Sequence, residues 1–206
     1  VVMPSTAYDA KGMLIAAEEN DGPVLFLEHR WLHNTTSIVP ECEYRVSLSK
    51  SLVVKEGKDI TLVGVSYMTL ECLDAANKLS ELGIEAEVID LRSIKPLDKE
   101  TIITSVVKTK RIAIVDHAEA TCGIGSEIIS CVFENITFAL RSRPKRICLP
   151  GHPVPTSYAM ATDYYPTSDY IANSIAEMFG IKSSALRDVS SSSYGDQPNP
   201  YFTGPF

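Results

Sequence analysis

Four short apolar runs recur along the chain with helix-periodic segments between them. They are ITLVGVSY from Ile60, IEAEVIDLR from Ile84, RIAIVDH from Arg111 and RICLP from Arg146. Runs this short and continuous are strands buried on both faces. Leu70, Leu73, Ala76, Leu79 and Leu82 share a helical stripe that Gly83 closes at a C′ position. Asp98 stands where an N-cap belongs, ahead of Ile102, Ile103, Val106 and Val107. A third helix is expected over Glu127–Leu140. A last one, capped by Ser168 or Asp169, carries Ile171, Ile175 and Met178–Phe179, with Gly180 after it. Strand–helix alternation at this spacing dictates right-handed crossovers. The expected fold is therefore α/β, a three-layer, mostly parallel sheet.

The flanks read differently. Residues 1–33 give strand, helix, strand: an extended Val1–Met3, a helix on Ala10, Met13, Leu14 and Ala17 with Ser5 as its cap, a turn at Asn20–Pro23, then the apolar VLFLE. One βαβ unit cannot enclose its own core, so 1–33 reads as the end of a larger domain, the alternative being that it joins the next sheet. Residues 34–58 have the composition of a linker, 59–181 form the regular domain, and 182–206 form an irregular tail rich in Ser, Pro and Gly. Tyr194, Tyr201, Phe202 and Phe206 suit that tail to docking on a surface.

Charge narrows the partners. With 19 basic and 26 acidic residues the net charge is −7, which disfavours nucleic acid and anionic membrane. No apolar run approaches the roughly 20 residues a bilayer requires. Cys42, Cys72, Cys122, Cys131 and Cys148 form no CxxC pair. They read as reduced, mostly buried thiols of a cytoplasmic protein rather than zinc ligands.

Candidate chemistry concentrates in VDHAEATCGIGSEI, residues 115–128. His117 follows a parallel strand, and open α/β sheets take ligands at the carboxyl ends of their strands. Gly123 and Gly125 permit close backbone approach and an anion-binding helix N-terminus. No serine or cysteine with elbow geometry accompanies them. Three readings stand side by side: a structural or interface histidine, which the residues favour, an anion site, and a catalytic base. A metal held by Asp116, His117 and Glu119 is weaker, because residues this close on an extended path rarely converge. Arg92, also at a strand end, either forms a salt bridge with Asp90, Asp98 or a neighbour, or contacts an anionic group. Lys11 and Glu28-His29-Arg30 are expected to face a missing part of the first domain. His152 reads as a loop residue.

VIDLRSIKPLD (88–98), GKDITLVGVSYM before it and VDHAEATCGIGSEI after it resemble the transketolase C-terminal domain. The VVMPSTAYDAKGML…VLFLEHRWLH segment and HPVPTSYA resemble more narrowly the β subunit of 2-oxo acid dehydrogenase E1 components, of pyruvate, branched-chain or acetoin type. The resemblance covers about residues 1–180. It implies a thiamine diphosphate-dependent enzyme that decarboxylates a 2-oxo acid, or cleaves acetoin, and acylates a lipoyl group. It implies Mg²⁺ with that cofactor, an E1 α subunit, a lipoyl acyltransferase (E2) and a homodimer. The family's pyrimidine-binding glutamate has no counterpart here, so the chain is expected to be an N-terminally truncated β subunit, inactive alone. The resemblance also implies a K⁺ site at Ala17, Glu18, Asn20 and Gly22, and places His117, Gly123 and Gly125 toward subunit contacts. A non-catalytic assembly module, or the same domain of another transketolase-like enzyme, is the alternative.

Overall fold

The computed structural model describes residues 1–157, 161 and 164–181. The tail 182–206, with its four aromatic residues, lies outside the described residues. Five strands make one sheet: β1 (Leu52–Lys55), β2 (Ile60–Gly64), β3 (Ala86–Asp90), β4 (Ile112–Glu119) and β5 (Lys145–Leu149). Their order is β1-β3-β2-β4-β5, parallel throughout except for β1, which runs antiparallel to β3. Helices α1 (Ala7–Glu18), α2 (Tyr67–Glu81), α3 (Lys99–Thr109), α4 (Ile124–Asn135) and α5 (Ser168–Met178) complete the described elements, with a 3₁₀ turn at Arg30–Asn34.

Strand alternation decides which helix covers which face. Ile60, Leu62, Ala86, Val88, Ala113 and Val115 point to a core closed by α2 and α5. Val63, Ile89, Ile112 and Ile114 point the other way, to a core closed by Ile102 and Val106 of α3 and Ile128 and Val132 of α4. The expected three-layer α/β sheet is therefore the fold, with every side chain of β2 and β3 buried. Local signals set the helix ends. Asp98 accepts from the Thr101 amide at the start of α3. Gly83, at φ 76°, lies one residue beyond the α2 C-cap, a left-handed geometry that glycine adopts without a Cβ penalty.

Several boundaries move. Thr6, not Ser5, caps α1, and Thr167, not Ser168 or Asp169, caps α5. In both cases the last extended hydroxyl residue reaches the free amide three positions on. The third helix begins at Ile124 rather than Glu127, because Gly123 already turns the chain. It ends at Asn135, whose side chain donates to the Cys131 carbonyl.

Residues 34–58 are more than a connector. Tyr44 stacks on Tyr8 with ring centroids 4.3 Å apart, and the Val46 amide donates to the Gly12 carbonyl. A Cβ at Gly12 would lie 2.6 Å from Val46 and 2.7 Å from Tyr44, so this packing requires glycine. The same segment then supplies β1, the antiparallel edge. VLFLE, expected as a full strand, reduces to one parallel bridge, Phe26 with Val2. Its other edge has no neighbour among the described residues, and Leu25 and Leu27 are exposed.

Candidate functional site

The chain leaves β2 toward β3 on one side and returns to β4 on the other. The carboxyl ends of β2 and β4 therefore flank the switch point, the crevice where open α/β sheets take ligands. Here residues of the 1–33 segment reach it: Pro4 from the β2 side, His29 and Trp31 from the β4 side. Beyond β2, Ser66 adopts φ 52° and ψ −124°, a conformation rare for any residue but glycine. A serine on a strained strand-to-helix turn has the backbone of a hydrolase nucleophile elbow. The sequence hides it, since Met68 stands where that motif has its second glycine. Its chemistry is nevertheless structural: the hydroxyl is buried and donates to the Pro4 carbonyl at 3.1 Å.

On the β4 side, His117 enters a box of rings. Its centroid lies 5.0 Å from His29, 5.8 Å from Trp31, 5.9 Å from Tyr67 and 5.5 Å from Tyr165. The hydrogen bonds assign the tautomers. His29 Nδ1 accepts from the Trp31 amide at 3.3 Å, so the proton of neutral His29 is on Nε2. That Nε2–H donates to His117 Nδ1 at 2.9 Å. Neutral His117 must then carry its proton on Nε2, an atom buried with no hydrogen-bond partner among the described residues. Burial in this box, with His29 alongside, pushes the His117 imidazole down to about 3. Burial lowers His29 as well.

His117 thus meets its own chain, and His29 faces it rather than a missing domain. Gly123 caps α4 without a side chain, and a Cβ there would lie 2.5 Å from the Glu119 carbonyl. Gly125 is a packing position between Ile114 and the Arg146 side chain. Arg146 donates to the Ala120 carbonyl and the Ser126 hydroxyl, which ties the loop to itself. Cys122 is exposed, as is Cys42; of the five free thiols only Cys72 and Cys131 are buried. Among the described residues no three His, Cys, Asp or Glu side chains could share a metal, so Asp116, His117 and Glu119 do not converge.

Arg92 is spoken for. It forms a two-pronged ion pair with Asp9 of α1, at 2.6 and 3.1 Å, and stands 3.8 Å from Asp90. The salt-bridge reading holds, but its main partner is one that sequence proximity does not reveal. Asp90 also accepts from Ser5, Thr69 and the Arg92 amide, and burial raises its carboxyl to about 6. Lys11, expected to face outward to another domain, donates instead to the carbonyls of Pro40, Glu41 and Cys42. His152 is an exposed loop residue whose carbonyl accepts from Tyr164. At the proposed K⁺ turn, the Ala17 carbonyl accepts from Asn20 and Glu19, and the Gly22 carbonyl accepts from the Asn20 side chain. Glu18 is exposed. Both carbonyls thus already take part in hydrogen bonds within the turn.

Comparison with known proteins decides the family. The model of the transketolase C-terminal domain matches residues 49–171. The chain belongs to the transketolase C-terminal domain family. Its match opens with the segment that supplies β1 and closes inside α5, so it contains the whole sheet of this domain. Among curated relatives, the β subunit of acetoin:2,6-dichlorophenolindophenol oxidoreductase from Bacillus subtilis is 42% identical over 179 residues, 87% of this chain and 52% of that protein. The pyruvate dehydrogenase E1 component subunit β of the same organism is 41% identical, over 77% of this chain and 49% of its own length. The chain spans about half the length of the curated relatives it matches. A solved structure described as a split gene transketolase, inactive β4 tetramer, superposes with a TM-score of 0.72. It is 25% identical, over 88% of this chain and 58% of that one. Among the described residues no helix is long and apolar enough to cross a membrane.

Proposed function

We propose that the chain is the C-terminal part of an E1 β subunit of a cytoplasmic 2-oxo acid or acetoin dehydrogenase. The intact enzyme uses thiamine diphosphate with Mg²⁺, pairs with an E1 α subunit and passes its acyl group to a lipoyl acyltransferase. The observation that carries this reading is the 42% identity over 179 residues, which reaches well beyond the family domain itself. Residues 1–33 are the end of a pyrimidine-binding domain, the first part of 34–58 packs beside it, and β1 at the end of that segment joins 59–181 in the assembly domain.

This part holds surfaces rather than chemistry. A part without a cofactor of its own is supported by the contacts that Pro4, His29 and Trp31 make at the ends of β2 and β4, where a ligand of this sheet would sit. Calorimetric titration of the chain with thiamine diphosphate and Mg²⁺ is expected to show no micromolar one-site isotherm. Such an isotherm would overturn the reading of this chain as the cofactor-free part.

The same reading includes a homodimer formed through the His117–Gly125 segment or α4. Phe133 of α4 and Val107 of α3 are exposed apolar side chains on neighbouring helices, and dimerisation would cover them. Sedimentation at micromolar concentration is expected to give a dimer. A monomer of 22.6 kDa would refute it.

A further inference from the structure

We propose that the His29–His117 hydrogen bond is an acid-released latch: it holds residues 1–33 in the switch-point crevice and opens when either imidazole takes up a second proton. The hydrogen-bond chain has no room for that proton. His29 Nδ1 is occupied as acceptor of the Trp31 amide, and His117 Nδ1 as acceptor of His29 Nε2–H. A proton on His117 Nδ1 sets two N–H donors head to head. A proton on His29 Nδ1 expels the Trp31 amide and undoes the cap of the 3₁₀ turn. The remaining nitrogen, His117 Nε2, already bears a hydrogen with no acceptor, so a charge on this ring gains no hydrogen bond.

Among the described residues no neighbouring carboxylate compensates. On α2, Tyr67 donates to Glu71, whose other oxygen accepts from the Ser168 amide. On β4, Asp116 lies next in sequence and its carboxylate receives the amides of His117 and Ala118, while Glu119 is exposed. In the segment of His29, Glu28 pairs with His33 at 3.2 Å on the surface, and Arg30 is an exposed cation. Before α5, Tyr165 presents its ring and Tyr164 donates to His152. At the end of β3, Asp90 is committed to Ser5, Thr69 and Arg92. Among the described residues, no carboxylate bonds either imidazole.

The signs separate release from unfolding. Both histidines lie below their ordinary 6.5 in the closed state, His117 near 3. Their contribution is therefore complete above pH 6.5 and lost as pH falls toward 3. Burial raises Asp90, Glu71 and Asp116, whose contributions run the other way and grow as the solution becomes acid. The sheet keeps its protonated carboxyls while the latch fails, so the first acid event is local.

Trp31 is the single tryptophan and sits in the ring box, 5.6 Å from His29 and 5.8 Å from His117. Its emission reports the latch directly. Titrating the chain from pH 8 to pH 4 is expected to give a red shift centred below pH 6.5, with far-UV circular dichroism retained. The double variant His29→Gln, His117→Phe is expected to show no such transition. Nitrogen-15 spectra of the unaltered chain at pH 8 are expected to show both histidines neutral with the proton on Nε2, a readout that does not depend on the variant folding. A flat emission titration, the same transition in the double variant, loss of helix in step with the shift, or His117 protonated on Nδ1 would each overturn the latch.

Discussion

Replacing Arg92 by Met is expected to lower the stability of the chain by about 3–5 kcal/mol at pH 8, the loss seen when one partner of a buried ion pair is removed. The guanidinium stands between Asp9 and Asp90, both nearly inaccessible to water, and is itself only 11% exposed at its side chain. Without it two carboxylates face each other in a dry place. Asp90 is already raised to about 6. Asp90 can escape by taking up a proton, so the deficit should shrink when urea unfolding is repeated at pH 5. Replacing Asp9 by Leu in the same chain should recover a large part of the loss, because no unpaired charge is then left on α1. A loss below about 1 kcal/mol would leave Arg92 available for an external anion and would revive that role for it.

Ile89→Ala is expected to cost about 2–5 kcal/mol, from lost burial and from the cavity left behind. Ile89 is fully buried, paired with Val63 of β2 on one side and Val53 of β1 on the other, and it packs on Ile102 and Val106 of α3. The surrounding strands are held by their ladders and cannot collapse into the space. The midpoint of urea unfolding measures the effect, with the slope expected to stay constant. A change under about 1 kcal/mol would contradict the central place given to β3.

How much of this could be read from residues alone depends on the range of the interaction. The interior strands β2, β3 and β4 are continuous apolar runs, and α2 and α3 have the periodicity and the Asp98 and Gly83 signals that act within a turn. Such information is local and survives in the sequence. The edge strand β1 was hidden among polar residues because only half its surface is covered, and its pairing with β3 depends on residues more than thirty positions away. VLFLE misled in the opposite sense: its composition is that of an interior strand, but among the described residues only Val2 pairs with it. The site was legible as a place and not as a set of contacts. His117 stood out at a strand end, whereas its partner His29, the Asp9 that engages Arg92 and the strain at Ser66 are set by tertiary geometry that no spacing encodes. The aspartate pairing and the histidine pairing both cross from residues 1–33 to the sheet, the one boundary that periodicity cannot see across.

The distance between the two histidines along the chain also sets an order of events during synthesis. They are 88 residues apart. At the roughly 5–20 residues per second of a working ribosome, the first must wait about 4–18 seconds for the second. Throughout that interval the segment that carries Leu25 and Leu27 lacks the histidine contact that fastens it to β4. The nascent chain therefore passes through a stage in which two exposed leucines sit on a segment not yet fastened. A chaperone or a sister chain that acts on this protein has its opening then, before β4 has been made.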